Sequence, residues 1–295
     1  MKTRYFFAAI AAILLLSGCF PDVHEFDLSK NAGLVAPELS WADPDDAGTD
    51  IHDLLVVVNS QEESYTKHYT NVRDLARDPL EVSAGKADIL VIANAAESDG
   101  YRVSGLPATK AAAAGPISVS LTGKPRSQAW FSPSALTVEQ DAVITPDAPL
   151  QRLLTTLILE FTHIPAGSVL NLTLSGVATS IILNEKDANG HYGVPGSESS
   201  SSYVLGTLTG SGSQRFYCFP TVFGQERVIL SVEVTPPGEA PYTCVCEVPA
   251  LSVGKEYTLT LDYDQLSTYM YVTAHVINEW TEGWTISGEI LNPEQ

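Results

Sequence analysis

Basic residues are scarce in this chain: 16 Lys and Arg stand against 35 Asp and Glu, a formal net charge of −19 over 295 residues. So acidic a surface repels phosphate backbones, which argues against nucleic acid as a partner. Recognisable catalytic spacing is missing too. The six histidines, His24, His52, His68, His163, His191 and His275, are scattered with no two at i,i+4. There is no HExxH, GxSxG, P-loop or dinucleotide fingerprint. A glycosidase needs only two facing carboxylates, and with 35 of them that criterion decides nothing. The expectation is a non-enzyme with no cofactor and no metal. Long apolar runs are absent after the first sixteen residues, so no later segment reads as a membrane span. Helical periodicity is nearly absent as well. The best short candidate is "YTKHYTNVRDLARD", which Pro79 would close.

What is present begins with Lys2 and Arg4, followed by an apolar run from Tyr5 to Leu16. Twelve residues of helix rise roughly 18 Å, short of the ~30 Å hydrocarbon core. That is the build of a secretory leader. Leu16-Ser17-Gly18-Cys19 resembles the bacterial lipoprotein box, in which a diacylglyceryl group joins the thiol and the chain is cut before it. The resemblance makes residues 1–18 a signal peptide and Cys19 a lipidation site. Several acyl chains at one residue hold stably where a single chain is marginal.

Three cysteines remain, Cys218, Cys244 and Cys246, in what would be an oxidising compartment. At most one disulfide can form among them. Cys244 and Cys246 sit two apart in "YTCVCEV", on one face of a strand, too constrained for a mutual bond. Cys218 with either one is the candidate pairing, provided their strands pair. A three-thiolate metal site has neither a second CxxC nor a neighbouring histidine to support it.

Period-two alternation dominates the remainder, as a β protein requires. Leu170, Leu172 and Leu174 alternate with Asn171, Thr173 and Ser175; Tyr257, Leu259 and Leu261 share a face against threonines. In "YMYVTAHVI", Met270, Val272, Ala274 and Val276 oppose Tyr269, Tyr271, Thr273 and His275 along one expected strand. Further strands are expected in "HDLLVVV", "ADILVIA", "PISVSLTG", "LTTLILEFTHI", "RFYCF" and "RVILSVEV", separated by Gly/Pro/Asp turn clusters. The fold expected is all-β: two tandem antiparallel β-sandwich domains, 34–135 and 136–295, after an acidic tether at 19–33. "TVEQDAVITPDAP" is either an edge strand or the connector.

Two stretches invite a ligand. "DPDDAGTDIHDL" places Asp43, Asp45 and Gly48 at the first, third and sixth positions of a calcium loop. Ala47 and Leu54 occupy the fifth and twelfth, so the bidentate glutamate is missing and an acidic turn is the simpler reading. "WTEGWTISGEI" sets Trp280 and Trp284 four apart; with Tyr269 and Tyr271 they are candidates for stacking on sugar rings, core packing being the simpler role for the tryptophans.

The ordered set of segments resembles a known family. "LEVSAGKADILVIANA", "LSWADPDDAGTDIHDLLVVV", "PLQRLLTTLILEFTHIPAGSVLNLTLSGVATSIIL", "VPALSVGKEYTLTLDY" and "INEWTEG" resemble, in order, segments of the fimbrillin-like lipoproteins of Bacteroidales, nearest to FimB-type anchor and accessory subunits. The resemblance implies two transthyretin-like (Greek-key) sandwiches. It also implies assembly by strand addition, in which an Arg-specific protease removes the N-terminal strand and a neighbour's strand fills the groove. This chain departs from that pattern: between Cys19 and Leu55 there is no arginine, and Lys30 is the only lysine. A subunit that keeps its lipid and first strand would stay at the outer membrane, surface-exposed, as the base anchor or an accessory subunit of a fimbria. Its partners would be other fimbrial subunits and a host or glycan ligand. The alternative is a glycan-binding lipoprotein of a polysaccharide-uptake system.

Overall fold

"LLVVV" and "DILVIA" leave no alternate position for water, and runs of that kind need cover on both faces. The structure supplies it. This computed structural model describes residues 31–61, 63–107, 115–265, 269–271 and 274–276.

The first strands are β1 (Ala32–Val35), β2 (Glu38–Trp41), β3 (Leu54–Ser60) and β4 (Ser64–Tyr69), then helix α1 (Val72–Arg77). There follow β5 (Leu80–Ser83), β6 (Gly85–Ala93), β7 (Tyr101–Ser104), β8 (Ser118–Leu121), β9 (Trp130–Val138), β10 (Val143–Ile144) and β11 (Asp147–Arg152). A six-stranded sheet runs β2-β11-β9-β6-β3-β4, with β6 at its heart. One face, carrying Leu54, Val56, Val58, Ile89 and Val91, packs beneath the three-stranded sheet β10-β1-β5. The other face, carrying Val57, Leu90, Ile92 and Phe131, packs on Val119, Ile181 and Leu183. Pro133 sits inside β9 opposite Leu90, beyond the two residues, Trp130 and Phe131, that pair with β11. Its missing N–H therefore falls where β9 has no second neighbour, which is where a strand tolerates proline.

The remaining strands are β12 (Thr155–Thr162), β13 (Val169–Ser175), β14 (Ser180–Lys186), β15 (Tyr192–Pro195), β16 (Tyr203–Leu208) and β17 (Gly212–Cys218). After them come β18 (Arg227–Thr235), β19 (Tyr242–Pro249), β20 (Glu256–Asp262), β21 (Tyr269–Tyr271) and β22 (Ala274–Val276). Sheets β17-β12-β20-β22 and β16-β13-β18-β19-β21 face each other across a second core. There the alternation is as expected: Leu170, Leu172 and Leu174, and Tyr257, Leu259 and Leu261, are all buried. The all-β sandwich architecture is thus observed, with parallel pairs β1–β10, β2–β11, β12–β20 and β19–β21 among the antiparallel ones.

Two local expectations are revised. The helix expected from Tyr65 shrinks to six residues, because "SYTKHY" pairs with β3 as β4; Asn71 then caps α1 by accepting from the Asp74 N–H. "YMYVTAHVI" is not one strand: β21 joins β19 in one sheet and β22 joins β20 in the other. Three strand pairings span residue 136: β14 with β8, and β11 with β2 and with β9.

Candidate functional site

Strand β1 is buried along all four residues, between β5 on one side and β10 on the other. Its backbone is tied in closely: the Leu34 N–H donates to the Ala142 carbonyl at 2.8 Å, and the Asp141 N–H donates to the Ala32 carbonyl at 2.8 Å. Gly33 is required by space. A Cβ there would lie 2.6 Å from the Glu139 carbonyl oxygen and 2.8 Å from the Val138 side chain. The outer edge of β5 is covered by side chains of β4. Tyr65 Oη donates to the Glu81 carbonyl, and Lys67 Nζ and Tyr69 Oη both donate to that of Asp78. The opposite edge, β10, is two residues long, and Val143 on it is 68% exposed. The sheet that holds β1, the first strand among the described residues, is therefore closed on one flank and short on the other.

The acidic turn is a clamp. The Asp43 carboxylate accepts from the Asp45 N–H, capping a 3-10 turn over Pro44–Asp46. Asp46 is buried; its carboxylate takes two hydrogen bonds from Arg152 Nε at 3.0 Å, one from Nη2 at 2.9 Å, and one from Trp130 Nε1 at 3.1 Å. Burial opposes the charge on Arg152, but the hydrogen bonds and charges of Asp46 and Asp43 outweigh it and hold the guanidinium above its ordinary range. Asp46 stands at the fourth position, which a calcium loop does not use, and Asp43, at the first, lies 3.4 Å from Arg152 Nη1.

Beside that clamp lies a cleft of about 700 Å³. Its floor is Leu39 and Trp41 of β2 with Leu150 of β11, on the face that the three-stranded sheet would otherwise cover. Its rim carries Ile51 and, from α1, Arg73 and Arg77. Trp41 meets Trp130 edge-to-face, centroids 5.4 Å apart at 73°. Its place is thereby fixed through Trp130, Asp46 and Arg152. Sequence reasoning missed Trp41 as a site residue. Two signals were there: Leu39 and Trp41 alternate toward one face, and Arg73 and Arg77 are four apart on the one helix candidate.

The residues singled out from sequence are otherwise dispersed. Cys19, Trp280 and Trp284 lie outside the described residues, and Tyr269 and Tyr271 stand on β21 opposite Val245 and Glu247. Cys218, Cys244 and Cys246 are free and buried in the second core. Cys218 is on β17 and the other two are on β19, strands of opposite sheets, so the strand pairing the disulfide needed does not occur. Burial pushes the Cys218 and Cys246 thiols up to about 12. Among the described residues, one group brings a histidine together with two carboxylates: exposed His163 Nδ1 lies 2.9 Å from Asp262 and 3.9 Å from Asp264. This is a surface ion pair at the ends of β12 and β20.

No protein-family model and no curated protein matches the chain. Solved structures do. One from Bacteroides thetaiotaomicron, named as a candidate polysaccharide-binding protein, is 9% identical with a TM-score of 0.50, covering 87% of this chain and 98% of its own. A candidate cell adhesion protein from Bacteroides eggerthii is 12% identical with a TM-score of 0.49, covering 80% and 86%. The C-terminally truncated tip fimbrial protein of Porphyromonas gingivalis is 10% identical with a TM-score of 0.45, covering 83% and 98%. At these identities the likeness is one of fold.

Proposed function

We propose that this chain is a structural subunit of a surface fimbria, lipid-anchored at Cys19 in the outer membrane, and that it joins other subunits by strand addition rather than performing catalysis. The observation that carries the reading is β1. A leading strand among the described residues, buried on all four positions and locked to β5 and β10, is the kind of element whose retention or loss decides whether an acceptor groove is filled or open. No arginine lies between Cys19 and β1, so Arg-directed cleavage has no place to separate the lipid from the strand. The subunit then keeps its own strand and its anchor together, which suits the base of a filament better than its repeating shaft. The ordered sequence resemblance to fimbrillin-like lipoproteins supports the same role.

Mass spectrometry of the protein recovered from assembled surface fibres tests this. The expected result is a mature chain beginning at lipidated Cys19, and a Cys19→Ser variant shed from the membrane together with its fibres. A mature N-terminus beyond Val35 in assembled material would overturn the base-anchor reading.

A further inference from the structure

Arg73 and Arg77 stand one helical turn apart on α1, both exposed and both lining the cleft. Among the described residues neither has a carboxylate partner; Arg126, a single exposed arginine outside the cleft, shares that condition, whereas Arg102, Arg152, Arg215 and Arg227 each have a partner. In a chain with 35 acidic and 16 basic residues, carboxylates to pair with them are not in short supply. The acids that share the cleft leave them unmatched: the Asp74 carboxylate accepts from Asn71 and Thr70, and Asp50 forms no ion pair with either arginine. Two unmatched guanidinium groups at one cleft of a strongly acidic protein mark a place where an anion is accepted rather than repelled.

The floor says what kind of anion. Trp41 is half-buried, and its position is set in advance by Trp130, which is held by Asp46, which is held by Arg152. A pre-placed indole beside paired guanidinium groups suits a ligand that combines an apolar ring face with an anionic oxygen group a guanidinium fork can grip. The cleft volume falls within the range of small-ligand sites, about 300–1,000 Å³. We propose that this cleft binds an anionic sugar residue of a glycan chain, its ring face on Trp41 and its carboxylate or sulfate on Arg73 and Arg77. An acidic peptide would satisfy the arginines but leave the indole without a ring. No residue of β1 lines the cleft, so the proposal stands apart from the fimbrial reading: a chain that fails to assemble can still bind, and the reverse.

The full mature chain in detergent is titrated calorimetrically with oligogalacturonate, a heparin-derived oligosaccharide, a neutral dextran oligosaccharide and a poly-glutamate peptide. Binding of oligogalacturonate or the heparin oligosaccharide is expected, and whichever binds more tightly assigns the anion as carboxylate or sulfate. The double variant Arg73→Gln/Arg77→Gln should lose at least tenfold in affinity, while Arg126→Gln, exposed and outside the cleft, should stay within twofold. Ligand addition should change tryptophan fluorescence in the parent and not in Trp41→Phe. The proposal is overturned if neither anionic glycan binds, if dextran or poly-glutamate binds as tightly, if Arg126→Gln loses as much as the double variant, or if Trp41→Phe retains the full fluorescence change.

Discussion

Asp46 and Arg152 lie 106 residues apart and meet in a forked ion pair inside the first sandwich, with Trp130 donating to the same carboxylate. The pair joins the 3-10 turn after β2 to the end of β11. It also fixes the ring on which Trp41 rests.

Breaking that pair from one side should be costly, because Trp130 Nε1 loses its acceptor and the partly buried Arg152 keeps only Asp43, 3.4 Å from Nη1. Asp46→Ala is expected to lose roughly 1.5–3 kcal/mol. Replacing both partners, as in Asp46→Leu/Arg152→Met, should recover much of that loss. Equilibrium denaturation of the four corners of the cycle measures the coupling; an Asp46→Ala variant as stable as the parent would remove the clamp from the account.

Gly33→Val tests how tightly β1 is seated. The added side chain would collide with the Glu139 carbonyl and Val138, so a loss of about 1–3 kcal/mol is expected. Gly123→Val, where nothing lies within 4 Å, should cost far less. Denaturation midpoints of the two variants decide it, and equal costs would mean β1 is not confined.

The His163–Asp262 pair sets a pH window. Hydrogen bonding to Asp262, reinforced by its charge, raises the His163 pKa above 6.5. The stability this contributes is present below the unfolded-state value and is lost as pH rises through the folded one. The hydrogen bond from His163 lowers the Asp262 pKa below 3.8. Its contribution is present above the unfolded-state value and is lost as pH falls through the folded one. Proton NMR should show the His163 ring titrating above 6.5 in the parent and moving down toward that value in Asp262→Asn. An unchanged titration would dissolve the pair.

The three core thiols should be inert. With two of them near 12 and all three buried, labelling by a thiol reagent at neutral pH should be negligible in the native protein and complete after unfolding. A Cys19→Ser background isolates them. Rapid native labelling of Cys218 would show that β17 opens.

The alternation of "LNLTLSGV" and "YTLTLDY" told from sequence which face of those strands would be buried, and the apolar runs of β3 and β6 marked them as strands. Burial periodicity is a local property, and it survives in the fold. Partner choice is not local. Nothing in "SYTKHY" distinguishes a helix start from an edge strand until β3 is beside it, and nothing in Cys218 and Cys244 says they belong to opposite sheets. The acidic turn reads as a weak metal loop until Arg152 arrives from 106 residues away. Trp41 reads as one more strand residue until the three-stranded sheet stops short and leaves it lining a cleft.

By itself the sequence determined the all-β class, the inward faces of the strands whose side chains alternate, the acidic character and the absence of any arginine between Cys19 and β1. Those follow from residue order and side-chain polarity alone. Only the tertiary structure decided that β1 is locked between β5 and β10, that Asp46 is a clamp, and that Arg73, Arg77 and Trp41 share one cleft. Each of these joins residues distant in the chain, and long-range sheet pairing, which no local pattern encodes, brings them together.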